Sequence, residues 1–503
     1  MKFFRVSGTF VSGAVFTVLM FAAGTTGAQQ VIEMTLDKAV DIAMENSYRI
    51  KHLQMNIQRN RYYLDSRQAG LKSKVYMNLK APEFKNVSEY NWDSDLQKDV
   101  LYREDTRLWR MDLAVRQPVV VLGRPTNGYL SLNTRTYRYT QKDGDSYTDY
   151  YNRYYVKYEQ PFFRPNSLKN NIEDAELDLD RRELEYVRDR AWLINSIADD
   201  YYDLFEFTYY RTIYENQVEN LNKASAIAET FASKDSSRAI DRIQAQVELA
   251  NAREQLLKNQ SSIRRETARL IQALRMNPDD VVIVKPEFPF KRVPVDVEQA
   301  VQYGKTLSPT LRMLDIDKRK EEIDVDNAKG WDSFYVNLEM TYGLEKQEDR
   351  YQELWEEYDN SYSATLNAYI PIWDWGRRKS QLEAEKISLK QSELRIEQNR
   401  SEIRSDIEIA VQNLNEYQDR TENMMESRGM VKEVTAFGMS QYENGTISLQ
   451  DLIQMINREK ETEINFLDAY QGYRRSLLSL MIETYFDYEE NISLIDKFRA
   501  ETE

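Results

Sequence analysis

The chain has 503 residues, a formal net charge of -15, one histidine and no cysteine. That composition excludes a disulfide framework, thiolate metal sites and Cys-His chemistry, and an acidic chain is a poor match for nucleic acid. With a mean hydropathy of -0.70, and no stretch of about 18 apolar residues beyond the amino-terminal leader, no membrane-spanning helix is expected.

Residues 1–28 read as a signal peptide: Lys2 and Arg5 precede an apolar stretch through Phe16 and Phe21, and Thr26-Gly27-Ala28 supplies small residues for cleavage. The mature chain is therefore expected to be exported. A helix is predicted over 35–70; it carries His52 on a polar face. Strand character begins at Tyr76, Asn78 and Leu79. The next segment, about 80–128, has no counterpart elsewhere and holds a polar stretch (Glu83 to Arg107), an alternating run (Met111, Leu113, Val115) and a turn at Gly123-Arg124-Pro125. It reads either as an extra hairpin beside the other strands or as an elaboration outside them. Two Tyr-rich strands follow, Tyr129 to Gln141 and Tyr150 to Phe163.

From Leu168 to about Phe231 there is no proline, and a helix of that length extends about 100 Å at 1.5 Å per residue. Ile194, Ile197, Tyr201, Leu204 and Thr208 form a heptad seam along it. A turn and a helix of about 40 residues (239–278) complete the unit. The pattern then restarts with a helix over 294–329. Phe334, Val336, Leu338 and Met340 alternate with Tyr335, Asn337, Glu339 and Thr341, and Leu366, Ala368 and Ile370 alternate with Thr365, Asn367 and Tyr369. This is the dyad pattern of strands with lipid on the first set and water on the second. A hairpin packed on a soluble core would read the same way, and the export signal and 34 tyrosines favour the membrane. The polar stretch between these strands suits an exposed loop. A second long helix (377–442) has its seam at Ile403, Ile407, Ala410, Leu414, Tyr417, Thr421 and Met424, and a helix over 448–487 follows.

The chain is thus written twice. Pro161 and Pro371, and Asp241 and Asp451, are each 210 residues apart, and register of that kind marks an internal repeat. The expected units are 29–285 and 294–487, with a tail at 488–503. In each, a stacked pair of shorter helices matches one long helix. Four strands cannot close around water, and open sheet edges are not tolerated in lipid, so an oligomer is required. Two repeats per chain make a homotrimer a ring of six similar units. The expected fold is mainly α with membrane β: a coiled-coil α-helical barrel continued by a transmembrane β-barrel of twelve strands, or eighteen if the insertion adds a hairpin.

Three stretches, MTLDKAVDIAMENSYRI, YIPIWDWGRRKSQLEAE and QYENGTISLQDLIQMINREKE, together with the layout of the whole mature chain, are similar to the TolC family of outer-membrane efflux and secretion channels. The resemblance implies a trimeric exit duct in the outer membrane of a Gram-negative cell, reaching into the periplasm and docked to a periplasmic adaptor and an inner-membrane pump. It implies that Asp451 and Gln454 lie at the periplasmic aperture, where the family carries two acidic positions, and that Tyr442 and Asp241 form the gate latch. The family's basic latch position is Ile447 here. Ser236, Ser237, Asn444, Gly445 and Thr446 match the adaptor-docking tips, although the first tip lacks the usual Gly-Leu. Turn and cap chemistry alone also accounts for these residues. No enzyme activity and no cofactor are expected, since no Gly-rich phosphate loop follows a strand. The alternative is a secreted periplasmic coiled-coil scaffold, which explains the helices but not the duplicated strands.

Overall fold

In the computed structural model of the chain, residues 31–143 and 145–500 are described; the leader read over 1–28 lies outside them. A short strand β1 (Val31–Glu33) leads into α1 (Leu36–Asn46) and α2 (Tyr48–Ala69). Thr35 caps α1 by accepting from Lys38 N, and Ser47 ends α1 while accepting from Ile50 N to start α2. A serine with an extended backbone and a capping hydroxyl therefore divides the helix expected over 35–70. The second repeat is divided in the same way. Ser308 separates the helix Val297–Leu307 from the helix Pro309–Gly330, and Pro309 occupies the first turn of the latter, where no N–H is needed.

Strands β2 (Lys74–Asp93), β3 (Lys98–Val121), β4 (Arg124–Asp143) and β5 (Asp145–Phe162) precede α3 (Ser167–Lys234), a 68-residue helix. Then come α4 (Ala239–Leu274), β6 (Val281–Ile283), α5 (Val297–Leu307), α6 (Pro309–Gly330), β7 (Tyr335–Glu348) and β8 (Asp359–Tyr369). Helices α7 (Arg377–Glu443) and α8 (Leu449–Thr484) repeat the long and short pair. The chain closes with β9 (Phe486–Asp487), β10 (Ile492–Ser493) and α9 (Leu494–Ala500). The expected tail is thus structured: Phe498 is buried beside Ala191, and the Arg190 guanidinium lies 4.1 Å from its ring centre.

Helices α2 and α4 run end to end beside α3, and α6 and α8 run beside α7, which realises the stacked pairs. Both predicted seams are inside: Ile197, Tyr201, Leu204 and Thr208 on α3, and Ile407, Ala410, Leu414 and Thr421 on α7, are buried. The main core joins them at Phe288, whose ring centre is 4.7 Å from Tyr209, 4.9 Å from Phe466 and 5.0 Å from Tyr470. Parallel pairing of β1 with β6 ties the amino terminus to this core.

The sheet decides between the four and six strands per chain that the sequence leaves open. It is six-stranded and antiparallel, in the order β2-β3-β4-β5-β7-β8. The segment 80–128 forms most of β2 and β3, an extra hairpin beside the other strands. The ladder of β2 with β3 continues past its irregularity at Lys80/Glu83 as far as Asp93 and Lys98, well beyond Asp143 and Asp145, where β4 and β5 meet. The loop expected between β7 and β8 is also partly packed, with Leu354 fully buried.

Candidate functional site

Ladder partners in a sheet point to the same side, so the register fixes two faces. One row crosses all six strands as Val75, Val115, Leu132, Val156, Tyr342 and Tyr362. Each is apolar or aromatic, and Val75, Leu132, Tyr342 and Tyr362 are more than half exposed. Met77 pairs with Leu113, and Leu79 with Met111, on that face; Leu338 pairs with Leu366, Val336 with Ala368 and Met340 with Ala364. The lipid-facing set from sequence therefore shares one face with the strands of the insertion. Phe334 and Ile370 lie one residue outside β7 and β8 and are exposed.

The opposite face is charged. Its rows include Lys74, Arg116, Ser131, Lys157, Thr341 and Ser363, and then Asn78, Asp112, Arg135, Arg153, Glu345 and Asp359. Asp112 accepts from Arg110 Nε at 2.7 Å and from Arg135 Nε at 2.6 Å. Lys157 bridges Glu159 at 2.5 Å and Glu339 at 3.1 Å.

At the other end of the molecule, the turns of the two long hairpins come together. Tyr442 is fully buried, its ring edge-on to Phe231 with centres 5.6 Å apart. Its hydroxyl has no hydrogen-bond partner. Burial, and then the charge of Asp241, push that phenol up. The structure thus brings Tyr442 and Asp241 near each other without a hydrogen bond. Asp241 instead pairs with Arg238 at 3.4 Å, and the Arg238 guanidinium lies 4.4 Å from the Phe231 ring centre. Ile447 packs on the apolar cluster beneath Tyr442. Arg238 places a cation on the first tip beside this cluster, and the turn that places it was not readable from spacing.

Asp451 sits at the third position of α8 in a capping box. Its carboxylate accepts from Ser448 N at 3.2 Å and Ser448 Oγ at 2.7 Å, while Asp451 N donates to Ser448 Oγ at 3.1 Å. Those bonds hold its carboxyl below the usual range. Gln454, one turn on, is exposed. Gln244 Nε2 donates to Gln450 Oε1 at 2.7 Å and links the two hairpins. Ser236 and Ser237 form a one-turn 3-10 helix capped by Asp235. Asn444 caps α7, Gly445 has φ +74°, and Thr446 Oγ1 donates to Gln441 O at 2.7 Å. All five tip residues are exposed.

Sequence reasoning missed a buried network above the tips. Glu463 on α8 accepts from Tyr209 on α3 at 2.5 Å, from Arg428 on α7 at 2.8 and 2.9 Å, and pairs with Lys432 at 2.8 Å. Burial pushes its carboxyl up, but hydrogen bonds from Lys432, Tyr209 and Arg428 outweigh this and leave it lowered. Of metal-type groupings, Glu348, Asp349 and Glu353 have carboxylate oxygens within 4.8 Å of one another, a spacing that exposed acidic loops reach without an ion.

Residues 308–482 match the family model described as outer membrane efflux protein. No curated protein matches the chain in sequence. Among solved structures, the chain is similar to the Campylobacter jejuni CmeC outer membrane channel, at 12% identity over 99% of this chain and 98% of that one, with a TM-score of 0.64. The Vibrio cholerae outer membrane protein VceC is 13% identical over 89% and 95% of the two chains, with a TM-score of 0.62. The open-state Neisseria gonorrhoeae MtrE outer membrane channel is 13% identical over 89% and 88%, with a TM-score of 0.60.

Proposed function

We propose that this chain, a TolC-type outer membrane efflux protein by its second-repeat domain and its fold, forms a homotrimeric channel-tunnel, the exit duct through which small molecules or polypeptides leave the cell. Its place is the outer membrane of a Gram-negative cell. The observation that carries the reading is the apolar row across all six strands, on a sheet whose outer strands β2 and β8 each pair on one side only. Lipid does not tolerate open edges. Strands alternate in direction, so with six per chain β8 of one copy runs antiparallel to β2 of the next. Three copies then close an eighteen-stranded barrel, about half as wide again as twelve strands would give.

The helices support the same assembly. Ile240, Ile243 and Val247 on α4, and Met430, Val434 and Phe437 on α7, make exposed apolar stripes at helical spacing. The chain exposes 32569 Å², against roughly 19,000 Å² for a compact monomer of this mass. Elongation explains part of the excess, and faces covered by neighbouring copies explain the rest. In this assembly Asp451 and Gln454 ring the periplasmic aperture, Tyr442 and Asp241 hold the closed tip, and the turns at Ser236, Ser237, Asn444, Gly445 and Thr446 meet an adaptor joined to an inner-membrane pump. The detergent-solubilised protein is expected to be a threefold-symmetric trimer that conducts in planar bilayers. A monomer in every detergent, with no ring in electron microscopy, refutes the channel.

A further inference from the structure

The charged face of the sheet is not arranged for stability alone. Arg135 and Arg153 are direct ladder partners on β4 and β5, and like charges directly opposite destabilise a sheet. Arg110 joins them through Asp112, the carboxylate that it shares with Arg135. Arg153 pairs through Nε with Glu345 at 3.4 Å, beyond good hydrogen-bond geometry, and donates to Ser361 Oγ at 2.9 Å. Three guanidiniums on neighbouring strands thus contact two carboxylates, Asp112 and Glu345, while Asp359 lies one strand further along the row. The side chains of Arg110 and Arg135 keep 34% and 39% of their exposure, so donors remain open to the space in front of the sheet. A lattice built only to hold strands together would set a carboxylate opposite Arg135 on both sides, as it does with Asp112 on one. The three arginines are gathered at one place in a chain whose net charge is -15.

We propose that Arg110, Arg135 and Arg153 form an anion-binding row on the inner wall of the barrel, selecting cargo that carries clustered anionic oxygens such as phosphate groups. The reading rests on the channel proposed above, which makes this face the lumen. Guanidinium forks bind phosphate oxygens through paired N–H donors. In a lumen as wide as eighteen strands allow, wall charge is screened within about 8 Å at physiological salt. The row therefore holds anions that touch the wall, rather than filtering small ions along the axis. Transient capture of that kind retains cargo in the duct at low cost to its exit.

The probe is inositol hexakisphosphate, titrated calorimetrically into the detergent-solubilised wild-type trimer at roughly 50 mM salt and again at about 1 M. Saturable binding at low salt that disappears at high salt is expected. Arg135→Gln with Arg153→Gln should weaken it about tenfold or more, while Arg135→Lys with Arg153→Lys should weaken it less, since the charges remain but the paired donors are lost. Absence of binding by the wild-type protein at low salt overturns the proposal without recourse to any variant, and so does unchanged binding by the double glutamine variant in a trimer of normal mobility. Added to the extracellular side in planar bilayers, the same probe should reduce conductance. Binding in solution by a protein that never conducts would instead defeat the channel reading and leave the arginine row standing.

Discussion

Leu113 decides whether the inserted hairpin crosses the membrane. It lies on β3, paired with Met77 on one side and Thr134 on the other, one row above the apolar line from Val75 to Tyr362. Its side is the lipid side if β2 and β3 belong to the barrel. An arginine on the lipid face near the midplane costs about 2 to 4 kcal/mol, falling to about 0 to 1 kcal/mol near the interfaces. Because three copies contribute, Leu113→Arg should destabilise the trimer by roughly 6 to 12 kcal/mol. Asn78→Arg is the control: Asn78 is on the same hairpin but on the opposite face, directly opposite Asp112, which can pair with the new charge. Urea unfolding from lipid vesicles, followed by the loss of trimer mobility on unboiled gels, measures both. Leu113→Arg should shift the midpoint far more than Asn78→Arg. Equal small shifts, as at an exposed surface, would mean that the hairpin stands outside the bilayer and that the barrel has fewer strands.

The remaining predictions concern the helices. Asp451→Asn should remove cation preference in planar-bilayer recordings, because it takes a like-charged ring from the aperture, and should cost at most about 1 kcal/mol of stability through the weakened capping box. Tyr442→Phe should leave conductance low and stabilise the tip by about 1 kcal/mol in thermal unfolding, since a buried hydroxyl without a partner is a penalty rather than a bond; a rise in conductance would show that the hydroxyl latches the gate. Glu463 has a folded pKa held below its unfolded value, so its contribution is complete above about pH 4.3 and is lost as pH falls through the lower folded value. Glu463→Gln should lower stability at pH 7 and flatten that acid limb, as followed by far-UV circular dichroism between pH 6 and 3.

Much of this architecture was legible because periodicity survives where one face is wet and the other is not. The seams through Leu204 and Leu414 and the alternation from Phe334 to Met340 are of that kind. Ser47 and Ser308 were not legible as breaks, because each carries helical sequence on both sides and interrupts the helix through its own capping hydroxyl. The stretch from Lys85 to Asp93 gave no strand signal for a different reason. It pairs with Lys98 to Thr106 above the apolar band, and its sequence mixes polar residues with Val87, Tyr90 and Trp92 at no steady alternation. The tip shows a third limit. Asp241 and Asp451 could be placed by register and Tyr442 by the resemblance, but the pairing of Asp241 with Arg238 depends on a one-turn 3-10 helix, and spacing does not encode that turn. Glu463 was invisible because a glutamate in a charge-dense helix looks solvated until α3 and α7 supply Tyr209 and Arg428.

The insertion also had to obey parity. A chain that begins its sheet going away from the helices and ends it coming back presents edges of opposite direction, so β8 of one copy and β2 of the next can form an antiparallel ladder. One added strand would leave the following helix at the wrong end of the sheet and make the edges parallel. A hairpin changes neither: it returns the chain at the Gly123 turn, where Gly123 has φ +77°, to the side on which α3 begins. In the proposed barrel two more strands add width while both repeats keep their helices in register, as the common spacing of Pro161 and Pro371 and of Asp241 and Asp451 requires. What the hairpin adds to the polar face of the sheet, the inner wall of the proposed barrel, is charge. Arg110, Asp112 and Arg116 all come from β3, so the segment without a counterpart in the second repeat is the one that completes the arginine row.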